Sequence, residues 1–90
     1  MFVKYEVRTS KDFDKFLAKH RNLAPKILNA LEILAQNPYE NTLDIKKIQA
    51  KDKHYRLRLG KYRILYELIE NKLLIIYAYR ADSRGDIYKE

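Results

Sequence analysis

The chain has no cysteine, so disulfides and thiolate metal sites are excluded. Its two histidines stand apart with no clustered partners, and no metal or other cofactor is expected. Only two glycines and two prolines interrupt ninety residues, which leaves little room for linkers or low-complexity loops. No apolar run approaches the ~20 residues of a membrane span, and the first residues lack the apolar stretch of a secretion signal. A cytoplasmic protein without a membrane role is the expectation. Acid is also scarce: twelve Asp and Glu face nineteen Lys and Arg, a formal charge of +7 with a pI near 9.6. Such a balance favours polyanionic partners.

What is present supports a packed core. Hydrophobic residues make up 47% and aromatics 12%, so disorder is not expected despite a charged fraction of 34%. Ninety residues suit one domain, taken as 1–90. Val3, Tyr5 and Val7 alternate with Lys4, Glu6 and Arg8, predicting a strand over Phe2 to Arg8. Thr9 or Ser10 caps a helix whose stripe is Phe13, Phe16 and Leu17, ending near His20. A second helix starts within Asn22 to Pro25, carries Ile27, Leu28, Leu31 and Leu34, and stops at Asn37-Pro38. So short a link predicts an antiparallel helical hairpin lying on a sheet.

The second half reads as β. Leu43 to Ile48 is taken as a strand, although LDIKKI also fits a short helix. Tyr55 to Leu59 and Tyr62 to Ile69 flank Gly60-Lys61, a pair suited to a type II′ turn. Leu73 to Tyr79 is a near-continuous apolar run, predicting a strand inside the sheet, and residues 81–90 read as a polar tail. The expected class is α+β: an N-terminal strand, a helical hairpin, then a four-strand antiparallel meander packed on the helices.

Eight Lys or Arg and one acid, Asp52, lie between Lys46 and Arg63. Alternation puts Arg56 and Arg58 on one face of their strand, and a two-residue loop places Arg58 opposite Arg63 and His54 opposite Glu67. Like charges directly opposed in a sheet destabilise it, so the pattern points to a phosphate site. The planar guanidinium fork suits phosphate oxygens. Lys53, His54, Lys61 and Arg80 border the cluster and are read as further RNA contacts. If the next turn is Asn71-Lys72, Arg80 comes opposite Arg63; a loop at Glu70-Asn71 sends it to the other face. In the tail, Arg84 adds charge, and Tyr88 could stack on a base.

The segment HYRLRLGKYRILYEL, followed by LLIIYAYRADSRGDIY, resembles the RelE/ParE superfamily of bacterial and archaeal toxins. That resemblance implies a type II toxin made with a cognate antitoxin, reaching operator DNA only through the antitoxin complex. RelE-like members cleave messenger RNA in the ribosomal A site without a metal, by attack of the ribose 2′-hydroxyl on the adjacent phosphate. The catalytic set it implies is Arg56, Arg58, Arg63, Arg84 and Tyr88. ParE-like members share the fold but poison DNA gyrase, and a non-toxic nucleic-acid-binding relative is a third possibility. Many relatives carry His where this chain has Ser83, and Lys where it has Arg58. A guanidinium is a poor general base, so the proton acceptor stays open among Tyr88, His54 and a ribosomal group.

Overall fold

A computed structural model of the chain describes residues 4–83. The chain order is β1 (Glu6–Thr9), α1 (Lys11–Lys19), α2 (Ala24–Gln36), β2 (Asp44–Lys47), β3 (His54–Leu59), β4 (Tyr62–Glu70) and β5 (Leu74–Ser83). Local chemistry accounts for most boundaries. Ser10 is the N-cap of α1, and its Oγ accepts the Phe13 N–H at 3.1 Å, with Asp12 and Asp14 in the first turn. Pro25 sits in the first turn of α2, where a missing N–H costs nothing. Gly60 has φ of 59°, while Lys61 does not adopt a positive φ, the combination a type II′ turn requires.

The strands form one five-stranded sheet in the order β1-β5-β4-β3-β2. The meander β2 to β5 is antiparallel, as expected, and β5 lies in the interior. β1 joins parallel to β5, with Val7 beside Ile76, a pairing that strand patterns alone do not reveal. β5 also runs on to Ser83, so residues 81–83 are strand rather than tail.

One face of the sheet carries the helices. Phe13 from α1 and Ile27, Leu31 and Leu34 from α2 pack with Leu57, Ile64, Tyr66, Leu68 and Ile76. These side chains are almost wholly removed from water. Burying each contributes about 1.5–3 kcal/mol. The alternation that sends Leu57 and Ile64 into this core necessarily sends Arg56, Arg58 and Arg63 to the opposite, helix-free face. Among the described residues no helix is long and apolar enough to cross a membrane.

Candidate nucleic-acid interface

The helix-free face is organised as rows running across the strands. In the first, Asp44 on β2 is opposite Arg58 on β3, Arg58 is opposite Arg63 on β4, and Arg63 is opposite Asp82 on β5. The row therefore reads Asp–Arg–Arg–Asp. The next row holds Lys46, Arg56, Leu65 and Arg80, and a third holds His54, Glu67, Tyr77 and Arg8. The predicted register of the hairpin holds: Arg58 faces Arg63, and His54 faces Glu67.

The two acids change the electrostatics of the Arg pair. Arg58 Nε donates to Asp44 Oδ2 at 2.7 Å, and its Nη2 reaches the same oxygen at 2.5 Å. Arg80 Nε donates to Asp82 Oδ2 at 2.6 Å. A carboxylate at each end thus offsets the repulsion of two opposed guanidiniums. Arg63 is 5% exposed, the one charged side chain in the buried set among the described residues. Its position in the central strand, hemmed in by β3 and β5, removes it from water while its charge persists.

Arg80 reaches this face through a β-bulge. Glu70 pairs with Leu74 across a loop of residues 71–73, and that register continues to Tyr66 opposite Ala78. It then slips by one, so that Leu65 is opposite Arg80 and Tyr79 is the additional residue. Without the slip, Arg80 would stand beside Ile64 and point into the core. With it, buried Ala81 takes that place and Arg80 joins the row of Arg56. Arg80 is therefore on the expected face, but opposite Leu65, with Asp82 opposite Arg63.

Tyr79 contributes a further contact. Its hydroxyl lies 2.9 Å from His54 Nδ1, and the rings meet edge to face at 5.5 Å. Burial, then the Glu67 charge, pushes the Tyr79 phenol up, opposed by Arg80. On its other side, His54 Nε2 lies 3.8 Å from Glu67 Oε2. His54 is held from both sides within the third row.

Two residues expected at the interface make contacts outside the Arg rows. Lys53, at φ of 63°, turns its ammonium to Glu70 Oε1 at 2.7 Å. Glu70 also accepts from the Tyr5 and Tyr39 hydroxyls on the helix side of the sheet. Lys53 is thus removed from the Arg rows because a carboxylate with two further donors holds it. Lys61 lies over the ring of Tyr62 at 5.5 Å, and that ring also meets Phe16 and His20 edge to face. Arg84 and Tyr88 lie outside the described residues. Asp44, Asp82 and Tyr79 were not singled out from sequence. Asp44 had a signal, being two residues before Lys46, but the helix-or-strand ambiguity of LDIKKI hid it; Asp82 was assigned to a tail. Among the described residues no group of three or more His, Cys, Asp or Glu side chains could hold a metal ion.

Comparison with known proteins follows the same lines. The family model described as ParE toxin of the type II toxin–antitoxin system, parDE, matches residues 3–88. RelE1 of Methanocaldococcus jannaschii is 35% identical over 65 residues, 71% of each chain. The crystal structure of the archaeal RelE–RelB complex from Pyrococcus horikoshii OT3 is 26% identical, covering 92% of this chain and 98% of that one, with a TM-score of 0.76. The RelB–RelE complex from Methanococcus jannaschii is 31% identical, covering 91% and 95%, with a TM-score of 0.69. With nearly its whole length matched by the family model and the fold shared with solved RelE proteins, the chain belongs to the RelE/ParE superfamily as a RelE-like toxin of a type II toxin–antitoxin system.

Proposed function

We propose that the chain acts as one domain over 1–90 and is a metal-independent endoribonuclease that cleaves messenger RNA in the ribosomal A site. The observation that carries this reading is the buried Arg63 at the centre of the Asp44–Arg58–Arg63–Asp82 row. A guanidinium kept out of water costs stability, and a hydrophobic residue would suit a purely structural position better. It is a good position for stabilising phosphate charge.

In the proposed reaction the 2′-hydroxyl loses its proton and O2′ attacks the adjacent phosphorus. The bond from phosphorus to O5′ breaks, and O5′ takes up a proton. The products are a 2′,3′-cyclic phosphate and a 5′-hydroxyl. Arg56, Arg58 and Arg63 stabilise the additional charge on the pentacoordinate phosphorus, with Arg80 beside them. Arg84 and Tyr88 take the roles the family resemblance implies, proton donation to the leaving oxygen and stacking on the nucleotide. The 2′-hydroxyl proton goes to a group other than a guanidinium, which stays protonated far above neutral pH and is a poor base. A cognate antitoxin is the proposed partner, supported by the RelB chains in the complexes that this chain resembles.

A gyrase-directed activity is the second reading, favoured by the ParE description of the matching family model. Sequencing of RNA 5′ ends after brief induction without antitoxin separates the two. Cuts at a fixed position in the codon support the ribonuclease. Growth arrest with intact mRNA and broken DNA supports the gyrase poison, and harmless overexpression indicates a non-toxic relative.

A further inference from the structure

We propose that α1 carries a second phosphate-binding track, in which Lys11, Lys15, Lys19 and Arg21 grip the backbone of a structured RNA beside the sheet site. The assignment of RNA as partner rests on the function proposed above; the surface itself rests on separate observations.

The first is where charge is left uncompensated. On the sheet face, Asp44 holds Arg58, Asp82 holds Arg80, and Glu67 stands beside His54. On α1 the arrangement is the reverse. Lys11, Lys15 and Lys19 are exposed, and no ion pair among the described residues involves them or Arg21. Their spacing of four residues places them within an arc of about 80° over roughly 12 Å of helix.

The second is that helix stability does not explain the whole stripe: the dipole favours Lys19 in the last turn, and Asp12 three residues earlier favours Lys15, but the successive Lys–Lys pairs remain unexplained. Like charges four residues apart destabilise a helix. Lys11 also occupies the first position of α1, where the helix dipole disfavours a cation. A sequence selected only for stability would place acid there, as it does at Asp12 and Asp14.

The third is rigidity and position. Ser10 N–H donates to the Ala78 carbonyl at 3.0 Å, and Ser10 Oγ donates to the Tyr79 carbonyl at 2.8 Å. The buried Phe13 completes the attachment of α1 to the sheet. These bonds fix the start of the lysine stripe against the bulge that delivers Arg80. A cleft of about 520 Å³ runs between the two elements, lined by Asp12, Phe16 and Lys19 on one side and by Tyr79, Arg80, Ala81 and Asp82 on the other. Lys19 and Arg80 thus line the same cleft, and the stripe is continuous with the sheet site.

The chemistry selects RNA over an acidic protein. The residues between the lysines are Asp12, Asp14 and Ala18 on the exposed side, so the stripe offers no large apolar anchor. Protein interfaces concentrate their energy in such anchors and are depleted in Lys. An ammonium on a flexible stem suits a row of phosphates, which need charge more than fixed geometry.

The test uses the full chain and a fluorescently labelled 2′-O-methyl RNA hairpin, which lacks the attacking hydroxyl and survives the measurement. Anisotropy is followed across a salt series for wild type and for Lys11→Gln/Lys15→Gln/Lys19→Gln. Loss of three phosphate contacts lowers the slope of log affinity against log salt by about 2–3. An unchanged slope in a folded variant overturns the proposal. If the triple variant does not fold, Lys15→Gln/Lys19→Gln is read instead, with a slope lower by roughly 1–2. Polyglutamate is the protein-like control, and binding it as tightly as the hairpin at equal salt would overturn the assignment to RNA. Programmed ribosomes are tested in parallel for cleavage. Absence of cleavage by wild type removes the ribonuclease reading, whereas the slope difference alone decides the α1 track.

Discussion

Glu70→Gln is the perturbation whose consequences the structure specifies most fully. The Glu70 carboxylate receives the Lys53 ammonium at 2.7 Å together with the hydroxyls of Tyr39 and Tyr5. Lys53, then Tyr39 and Tyr5, hold its pKa down to about 2, from 4.5. The same carboxylate helps to hold both phenols up and therefore protonated, with burial the larger cause at Tyr5. At about 1.4 kcal/mol per pH unit, a carboxylate so lowered contributes at most roughly 3 kcal/mol. The Glu70 and Lys53 side chains are 20% and 46% exposed, so solvent screening reduces this to about 1–2 kcal/mol. The sign follows from linkage. A depressed carboxylate stabilises the fold fully above about pH 5, and its contribution disappears as pH falls toward 2. Urea titrations of wild type and variant at about pH 7 and about pH 3 measure it. The variant is expected to lose about 1–2 kcal/mol near neutrality, about 4–8 °C in Tm per kcal/mol, and much less in acid. Equal losses at both pH values would show that charge is not the cause. No loss at all would show that the cluster contributes nothing.

Three further outcomes follow from the sheet face and its turn. Asp82→Asn leaves Arg63 and Arg80 without their facing carboxylate, and is expected to lower stability by about 0.5–1 kcal/mol while raising affinity for the uncleavable RNA hairpin. Thermal melts and anisotropy check the two directions together. Arg63→Gln is expected to reduce cleavage of ribosome-bound mRNA by about 10²–10³-fold, measured by primer extension, with a cooperative melt showing that the fold persists. Gly60→Ala is expected to cost about 1 kcal/mol in urea titration: a Cβ there meets nothing within 4 Å, so the cost is the left-handed φ alone.

Much of the hairpin was legible because its rules are local. Alternation in Tyr55-Arg56-Leu57-Arg58-Leu59 and the two-residue loop at Gly60-Lys61 determine which residues face each other, and Arg58 opposite Arg63 follows. The capping Ser10 and the Asn37-Pro38 stop were equally local. The contacts of Lys53 and Lys61 were not legible because charge in a segment does not say which partner will meet a flexible side chain. Glu70, seventeen residues from Lys53, captured one; the Tyr62 ring captured the other.

The Arg rows are where these two kinds of information meet. By itself the sequence determined an α+β order of elements, a basic hairpin and the shared face of Arg56, Arg58 and Arg63, since periodicity and turn chemistry act over a few residues. Only the tertiary structure decided that Asp44 and Asp82 bracket the Arg pair, that a one-residue slip at Tyr79 turns Arg80 outward, and that β1 lies parallel to β5. The last joins strands from opposite ends of the chain, and the first two depend on the registers β2–β3 and β4–β5 adopt across their loops. A bulge arises from the fit of the whole sheet against its core, with Ala81 rather than Arg80 beside Ile64, and no local pattern encodes that choice.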